Sequence, residues 1–158
     1  MIIGTVSGTS ISYGSKYTFS SQYAWYQGIA FDPNTANKFV LVYTDSNNSN
    51  KGTGVVGTVS GTSISYGSKY VFNTGGEGEY PSVSFDPNTA NKFVVSYKDN
   101  GNSGYGTSIV GTVSGTAISY GAEYVFKSAN IYNTTTQFDP NSANKIITTY
   151  RDTGNNWY

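Results

Sequence analysis

Alternating apolar and polar residues predict short β-strands along the chain. At Lys92–Lys98, residues Phe93 and Tyr97 fall on the same face of a strand, because side chains two or four positions apart share a face. A short inner strand at Ser82–Phe85 precedes it across the turn Asp86-Pro87-Asn88, where Pro fixes φ and the Asp and Asn side chains can bond nearby backbone. The pattern predicts an inner and a second strand joined by a tight turn.

Two more strands complete the unit. We predict a third strand at Ser108–Val113, and the short turn Ser114-Gly115 leads to an outer strand from Ala117 through about Phe126. Four antiparallel strands in roughly 53 residues are typical of a β-propeller blade.

The unit occurs three times at a spacing of 53 or 54 residues. The block GTVSGTSISYGSKY stands unchanged at Gly4–Tyr17 and Gly57–Tyr70, and as GTVSGTAISYGAEY at Gly111–Tyr124. The block FDPNTANKFV stands at Phe31–Val40 and Phe85–Val94, and as FDPNSANKII at Phe138–Ile147. Recurring aromatic residues in these blocks are predicted to pack between blades: Tyr13, Tyr66, Tyr120, Phe31, Phe85 and Phe138.

The phase of the repeats predicts a single domain, 1–158, with a split blade at its ends. The third and outer strands of that blade lie at 1–19, complete blades at about 28–72 and 81–126, and inner and second strands at about 134–152. Each half-blade leaves an unpaired edge. Since propellers have four to eight blades, we expect a homodimer in which two three-blade chains exchange halves and form one six-bladed β-propeller.

A monomeric β-trefoil is the alternative fold, because it too has three repeats of four strands in about 150 residues. The phase of the repeats, the absence of Gln-x-Trp and the two tight hairpins per unit favour the propeller.

The blocks also resemble known repeat families. The segment 81–87, followed by an apolar second strand and the loop Asp99–Asn102, resembles TolB-type blades, which form six-bladed propellers, but it lacks their usual Trp and Asp-Gly turn. The FDPNTANK and VGTVSGTSISYG blocks resemble tandem-repeat proteins predicted from marine phages and metagenomes. That resemblance implies a propeller with a role in host recognition, on a virion or outside the cell, and it carries no catalytic residues.

Composition narrows the function further. The chain has 15 Tyr, 19 Gly and only 11% charged residues, which is typical of an all-β protein. With no Cys and no His, it has no disulfide, no thiolate metal site and no histidine base. Nine Lys and Arg balance nine Asp and Glu, so we expect no nucleic-acid partner. We also expect no membrane insertion and no signal peptide, because no apolar run is long enough to span a bilayer and Met1–Thr5 lacks a basic segment.

The arrangement of the acidic residues indicates structural roles rather than catalysis or metal binding. One trio is predicted to cap the Asp-Pro-Asn turns: Asp32, Asp86 and Asp139. A second trio ends the second strands: Asp45, Asp99 and Asp152. The loop after Asp99 has enough oxygens to suggest Ca²⁺, but no bidentate Glu follows. A single Arg, Arg151, excludes the arginine cluster of a sialidase. We therefore expect no enzyme activity, no cofactor and no metal.

Differences between the repeats are concentrated in the connections at one end of the predicted blades. The outer-to-inner segments read SSQYAWYQGIA at Ser20–Ala30, NTGGEGEYPSVS at Asn73–Ser84 and KSANIYNTTTQ at Lys127–Gln137. Tolerance of change in longer loops is one explanation, and a binding face with variable aromatic loops is the other. The binding explanation predicts these ligand-contacting residues: Tyr23, Trp25, Tyr26, Glu77, Glu79, Tyr80, Tyr105, Tyr132 and Trp157.

Aromatic side chains stack on sugar faces, and Asn and Ser supply adaptable hydrogen bonds. The sequence therefore predicts a lectin-like, non-enzymatic binding protein that recognises a surface glycan or receptor. The alternative is a structural or engineered repeat scaffold that has no ligand.

Overall fold

Antiparallel strands make up most of the computed structural model, which describes residues 1–155. The strands are β1 (Ile2–Ser7), β2 (Ser10–Lys16), β3 (Ala24–Phe31), β4 (Lys38–Asp45), β5 (Lys51–Ser60), β6 (Ser63–Val71), β7 (Gly78–Phe85), β8 (Lys92–Asp99), β9 (Tyr105–Ser114), β10 (Ala117–Phe138) and β11 (Ile146–Asp152). One-turn 3₁₀ segments follow three of the strands, at Ser46–Asn48, Asn100–Asn102 and Thr153–Asn155. The prediction of an all-β chain is confirmed.

The strands form three antiparallel sheets. Strands β1 and β2 form a hairpin, β3 to β6 form a four-stranded sheet, and β7 to β11 form a five-stranded sheet, each in chain order. The long strand β10 pairs with β9 as far as Asn130 and with β11 from Ile131 onward. Within residues 1–155, β1 pairs only with β2 and β11 only with β10, so the two ends of the chain do not join.

The inner strands are longer than predicted. Strand β7 begins at Gly78 rather than at Ser82, and the segment Lys127–Gln137, predicted as a loop, lies wholly within β10. The register shifts in all three inner strands, between Trp25 and Gly28, Glu79 and Ser82, and Tyr132 and Thr135. A β-bulge adds a residue and breaks the alternation on which the strand prediction depends, so these stretches resembled loops in the sequence.

Two cores cover the two faces of the four-stranded sheet. One core combines Val40 and Val42 with Phe93 and Val95 of the five-stranded sheet. On the opposite face, the second core packs Leu41 and its neighbours against the hairpin and the segment after it. Residues 39–45 of β4 are all buried, as expected for a strand covered on both sides.

Glycines opposite phenylalanines fix the spacing of the central strands. Gly57 pairs with Phe39, and Gly111 pairs with Phe93. A Cβ atom at these glycines would lie 2.0 Å and 2.2 Å from the facing ring, so only Gly fits. This packing explains why Phe and Gly recur together at these positions in the two complete units, whereas Ile146 replaces the Phe in the last repeat.

The recurring aromatic residues are not all buried. Phe85 and Phe138 are buried, and Tyr66 and Tyr120 are half-buried with their hydroxyl groups enclosed. Tyr13 and Phe31 are exposed in the single chain, and their packing between blades stays a prediction for the two-chain ring. Phe31 belongs to the edge strand β3, and Tyr13 lies on a hairpin that pairs with no other strand within residues 1–155.

The contact between Phe93 and Gly111 can be tested by a double-mutant cycle. We expect Phe93→Ala to lower the free energy of unfolding by about 3–5 kcal/mol, because it leaves a cavity in the core. Gly111→Ala should cost about 1–3 kcal/mol through overpacking. The double variant should lose clearly less than the sum, because the methyl group added at position 111 then occupies space that the ring vacates. Urea unfolding measures all three, and additive losses would contradict the interpretation.

Candidate functional site

Aromatic side chains from three neighbouring inner strands form one group. Strand β7 contacts β3 on one side and the second half of β10 on the other. The ring of Tyr26 on β3 lies 4.1 Å from that of Tyr80 on β7, centre to centre, and Tyr80 lies 5.5 Å from Tyr132 on β10. The group lies toward the end of the sheets that carries the 3₁₀ segments and the connections 17–23 and 72–77, which we name the loop face.

The β-bulges of the three inner strands determine the direction in which these side chains point. Tyr26, Tyr80 and Asn133 each stand five residues before a recurring Phe, and their φ angles are 52°, 51° and 53°. A positive φ is uncommon for a non-glycine residue, and bulges of this kind redirect a side chain. The same backbone feature therefore occurs at the same place in all three repeats.

Two basic residues lie against Tyr132. The Nζ atom of Lys98 is 4.2 Å from the centre of the Tyr132 ring and 3.1 Å from Oε2 of Glu79, and the Lys98 side chain is buried. The guanidinium carbon of Arg151 lies 5.0 Å from the same ring. Cation–π contacts and a largely buried ion pair hold this part of the group in one arrangement.

A small depression of about 220 Å³ lies between the bulges. It is lined by Tyr26, Gln27, Tyr80, Pro81, Asn133 and Thr134. A hydrogen bond with Tyr26 and partial burial raise the pKa of the Tyr80 phenol. A phenol with the ordinary pKa of 10.0 is already protonated at neutral pH, so Tyr80 is an uncharged hydrogen-bonding group there.

Four predicted site residues belong to this group: Tyr26, Glu79, Tyr80 and Tyr132. Trp25 is exposed on β3 next to Tyr26, and Tyr23 is exposed just before that strand. The prediction that these aromatic residues lie on loops is wrong for five of them, which lie on strands: Trp25, Tyr26, Tyr80, Tyr105 and Tyr132.

The remaining predicted residues lie apart from the group. The carboxylate of Glu77 accepts hydrogen bonds from the Nδ2 atoms of Asn50 (2.9 Å) and Asn100 (3.4 Å), so it ties together the loops of two sheets. Tyr105 is half-buried at the start of β9, two strands away from β7. Trp157 lies outside the described residues.

Sequence reasoning missed Lys98, Arg151 and the polar lining of the depression. A signal for the basic residues was present, because Lys98 is the cross-strand partner of Glu79 and Arg151 is the partner of Tyr132. The bulges could have been inferred from Asn133, since Asn tolerates a positive φ and stands at the position of Tyr26 and Tyr80.

The Asp residues of both trios cap turns. Asp32, Asp86 and Asp139 each accept the backbone N–H two residues later at 2.9 Å, which confirms the prediction for the Asp-Pro-Asn turns. Asp45, Asp99 and Asp152 accept the corresponding N–H of the 3₁₀ segments at 3.1, 3.0 and 2.8 Å. Within residues 1–155, no three acidic, His or Cys side chains are grouped so that they could hold a metal ion.

The surroundings of Asp99 differ from those of its repeat counterparts. Lys69 lies 2.8 Å from Asp45, and Lys127 lies 2.6 Å from Asp152. Glu123 takes the place of Lys69 in the next repeat and accepts a hydrogen bond from Tyr97. Burial and the negative charge of Glu123 raise the pKa of the Asp99 carboxyl.

Comparison of the chain with protein-family models, curated proteins and solved structures finds no match. The described residues also contain no helix that is long and apolar enough to cross a membrane.

Replacing Glu123 with Lys tests the electrostatics around Asp99. Because the folded-state pKa of Asp99 is raised, its contribution to stability is present below its ordinary pKa of 3.8 and is lost as the pH rises through the folded value. Glu123→Lys should therefore raise the free energy of unfolding at pH 7 by about 0.5–1 kcal/mol through an ion pair like that of Lys69.

The matched control is Glu123→Gln, which removes the charge without adding an ion pair and should give a smaller gain. Urea unfolding at pH 7 and pH 3 measures both variants, and at pH 3 the gain should disappear. A loss of stability at pH 7 in Glu123→Lys would contradict this account.

Proposed function

We propose that the chain is a non-enzymatic binding protein that recognises a surface glycan or a receptor through the aromatic residues of the loop face. The observation that carries this proposal is the contiguous group of Tyr26, Tyr80 and Tyr132, at the place where the three repeats differ most in sequence. Tightly packed framework positions such as Gly57 recur in every repeat. The position of Tyr26 and Tyr80 holds Asn133 in the third repeat, and the position of Tyr132 holds Trp25 and Glu79 in the other two.

The physical basis is stacking on a preformed surface. Aromatic rings give a large contact area at a low cost in conformational entropy, because each has only two side-chain torsions. The Lys98–Glu79 ion pair and the contact of Lys98 with Tyr132 fix one side of the group before any ligand arrives. Preorganisation of this kind reduces the entropy that binding must overcome.

The finer architecture that we propose is a six-bladed propeller formed by two chains. In it, β10 and β11 of one chain supply the inner and second strands of a blade, and β1 and β2 of the other supply its third and outer strands. The support comes from comparing the solvent exposure of corresponding residues in different repeats. Residues that face a neighbouring blade within the chain are buried, whereas their counterparts at the proposed junction are exposed.

Each proposed junction between two chains would bring together apolar residues that are exposed in the single chain. Phe31 is 58% exposed, whereas its counterparts Phe85 and Phe138 are each 5% exposed. Ile147 is 69% exposed, whereas its counterpart Val94 is 7% exposed. Phe85 shares a core with Val40, which is also a counterpart of Ile147. Phe31 of one chain would therefore meet Ile147 of the second chain, as Phe85 meets the cluster of Val40 within one chain.

A second pair of positions repeats the pattern. Ile11 is 55% exposed, but Ile64 and Ile118 at the same position are 9% and 6% exposed. Val110 is 41% exposed, whereas its counterpart Val56 is 1% exposed and shares a core with Ile118. Ile11 of one chain would cover Val110 of the other, so two apolar surfaces that are exposed to water in the single chain would bury each other.

Cysteine cross-linking tests the ring. Lys38 pairs with Thr58 and Lys92 pairs with Thr112, and the counterparts of such a pair at the junction are Lys145 and Thr5. Opposite residues in an antiparallel pair are about 4.5–5.5 Å apart between Cα atoms, which permits a disulfide. We expect the Thr5→Cys, Lys145→Cys variant to form a covalent dimer on a non-reducing gel.

The matched control is Thr5→Cys with Thr149→Cys, four residues out of register, which should cross-link poorly. Light scattering of the unmodified chain should give about 34 kDa, twice the 16.9 kDa of one chain. A disulfide within a single chain, a mass near 17 kDa, or open chains of higher mass would each contradict the six-bladed ring.

Glycan-array binding tests the function itself. We expect the chain to bind a subset of glycans, and we expect Trp25→Ala with Tyr26→Ala to reduce that binding at least tenfold, because aromatic stacking area on the loop face is lost. Tyr124→Ala is the matched control, since Tyr124 is an exposed Tyr in the outer-strand part of β10 and its replacement should have no effect. The absence of binding across arrays of glycans and candidate receptors would favour a scaffold without a ligand.

A further inference from the structure

We infer that the depression between the bulges of β3, β7 and β10 holds one uncharged pyranose unit, stacked on Tyr26 and hydrogen-bonded by its polar rim. This inference rests on the proposed function and narrows it to one place and one class of ligand. The argument comes from the backbone at the bulges, from the chemistry of the lining and from the charges nearby.

The backbone places aromatic residues where they are conformationally disfavoured. Tyr26 and Tyr80 have φ angles of 52° and 51°, in the left-handed region that Gly and Asn adopt far more readily. The third repeat has Asn133 at this position with a φ of 53°. Tyr is therefore not required by the bulge, and two aromatic rings are held there at an energetic cost, as is common at binding sites.

The lining combines ring faces with uncharged polar groups. Tyr26 remains 40% exposed although its ring contacts Tyr80, so a face is available for stacking. Gln27 and Asn133 bring amide groups to the rim, and both are exposed. A pyranose has the matching chemistry, with a C–H face that stacks on an aromatic ring and hydroxyl groups around its edge that bond to amides.

The local charges favour an uncharged ligand. The side chains that line the depression are all neutral, because the lining consists of Tyr, Gln, Pro, Asn and Thr residues. Nearby, Glu79 and Lys98 are paired with each other at 3.1 Å, and the Lys98 side chain is only 8% exposed. The lining itself contains no cation, and Arg151, which lies 5.0 Å from the Tyr132 ring, does not belong to it. A carboxylate seated in the depression would therefore lose hydration without a cation of the lining to compensate for it.

Titration with simple glycosides tests the site. The probes are methyl β-galactoside, methyl β-glucoside and methyl α-mannoside, with the methyl glycoside of N-acetylneuraminic acid as a charged counterpart. Saturation-transfer NMR should label the C–H protons of one face of at least one neutral probe, as stacking requires. The charged probe should bind at least tenfold more weakly, and equal or tighter binding of it would overturn the inference.

Three variants locate the site. Tyr26→Asn keeps a residue that accepts the φ of the bulge and should weaken binding at least tenfold, while its thermal midpoint stays equal to or above that of the unmodified chain. Tyr26→Phe keeps the ring and should retain the stacking signals. Tyr124→Ala removes an exposed Tyr in the outer-strand part of β10 that does not line the depression, and it should bind normally.

The outcomes separate this inference from the proposed function. If glycans bind but Tyr26→Asn binds them as tightly as the unmodified chain does, the chain binds glycans and the depression is not the site. If no glycan and no glycoside binds at all, the proposed function and this inference both fail.

Discussion

A strand that is apolar on both sides must be covered on both sides, and this constraint governs the whole chain. Residues 39–45 of β4 and 93–99 of β8 are buried without interruption, so neither strand can belong to a sheet that faces water. The four-stranded sheet satisfies the constraint by packing between the hairpin and the five-stranded sheet. At Phe31 and Ile147 the apolar surface is not covered, because both side chains are exposed in a single chain.

That constraint also explains how much of the fold the sequence could predict. The second and third strands followed from alternation and from the two recurring blocks, whose Phe and Gly positions pair as Phe39 with Gly57 and as Phe93 with Gly111. Ring closure between chains was predicted from the phase of the repeats. It depends on contacts that a single chain does not contain, and it remains a proposal.

The candidate site was predictable in its residues and not in its backbone. The segments that differ most between the repeats contain Tyr26, Tyr80 and Tyr132, which do lie together. Their location on bulged strands was missed, since an inserted residue destroys the period of two that marks a strand. Lys98 was missed because its role depends on the ion pair with Glu79. That pair follows only from the cross-strand register, which the sequence analysis did not assign.

The continuous strand β10 gives the two ends of the chain different mechanical properties. It passes from the second complete unit into the last half-unit without an intervening loop, so backbone hydrogen bonds on both of its halves fix how β11 is presented. The hairpin at the other end is joined through the connection 17–23, which contains no strand. In an assembly of two chains, the β10–β11 half of each junction would be held rigidly by its own sheet. The β1–β2 half could adjust its position through the connection 17–23. Once the first junction had formed, the second would close as an intramolecular step at high effective concentration.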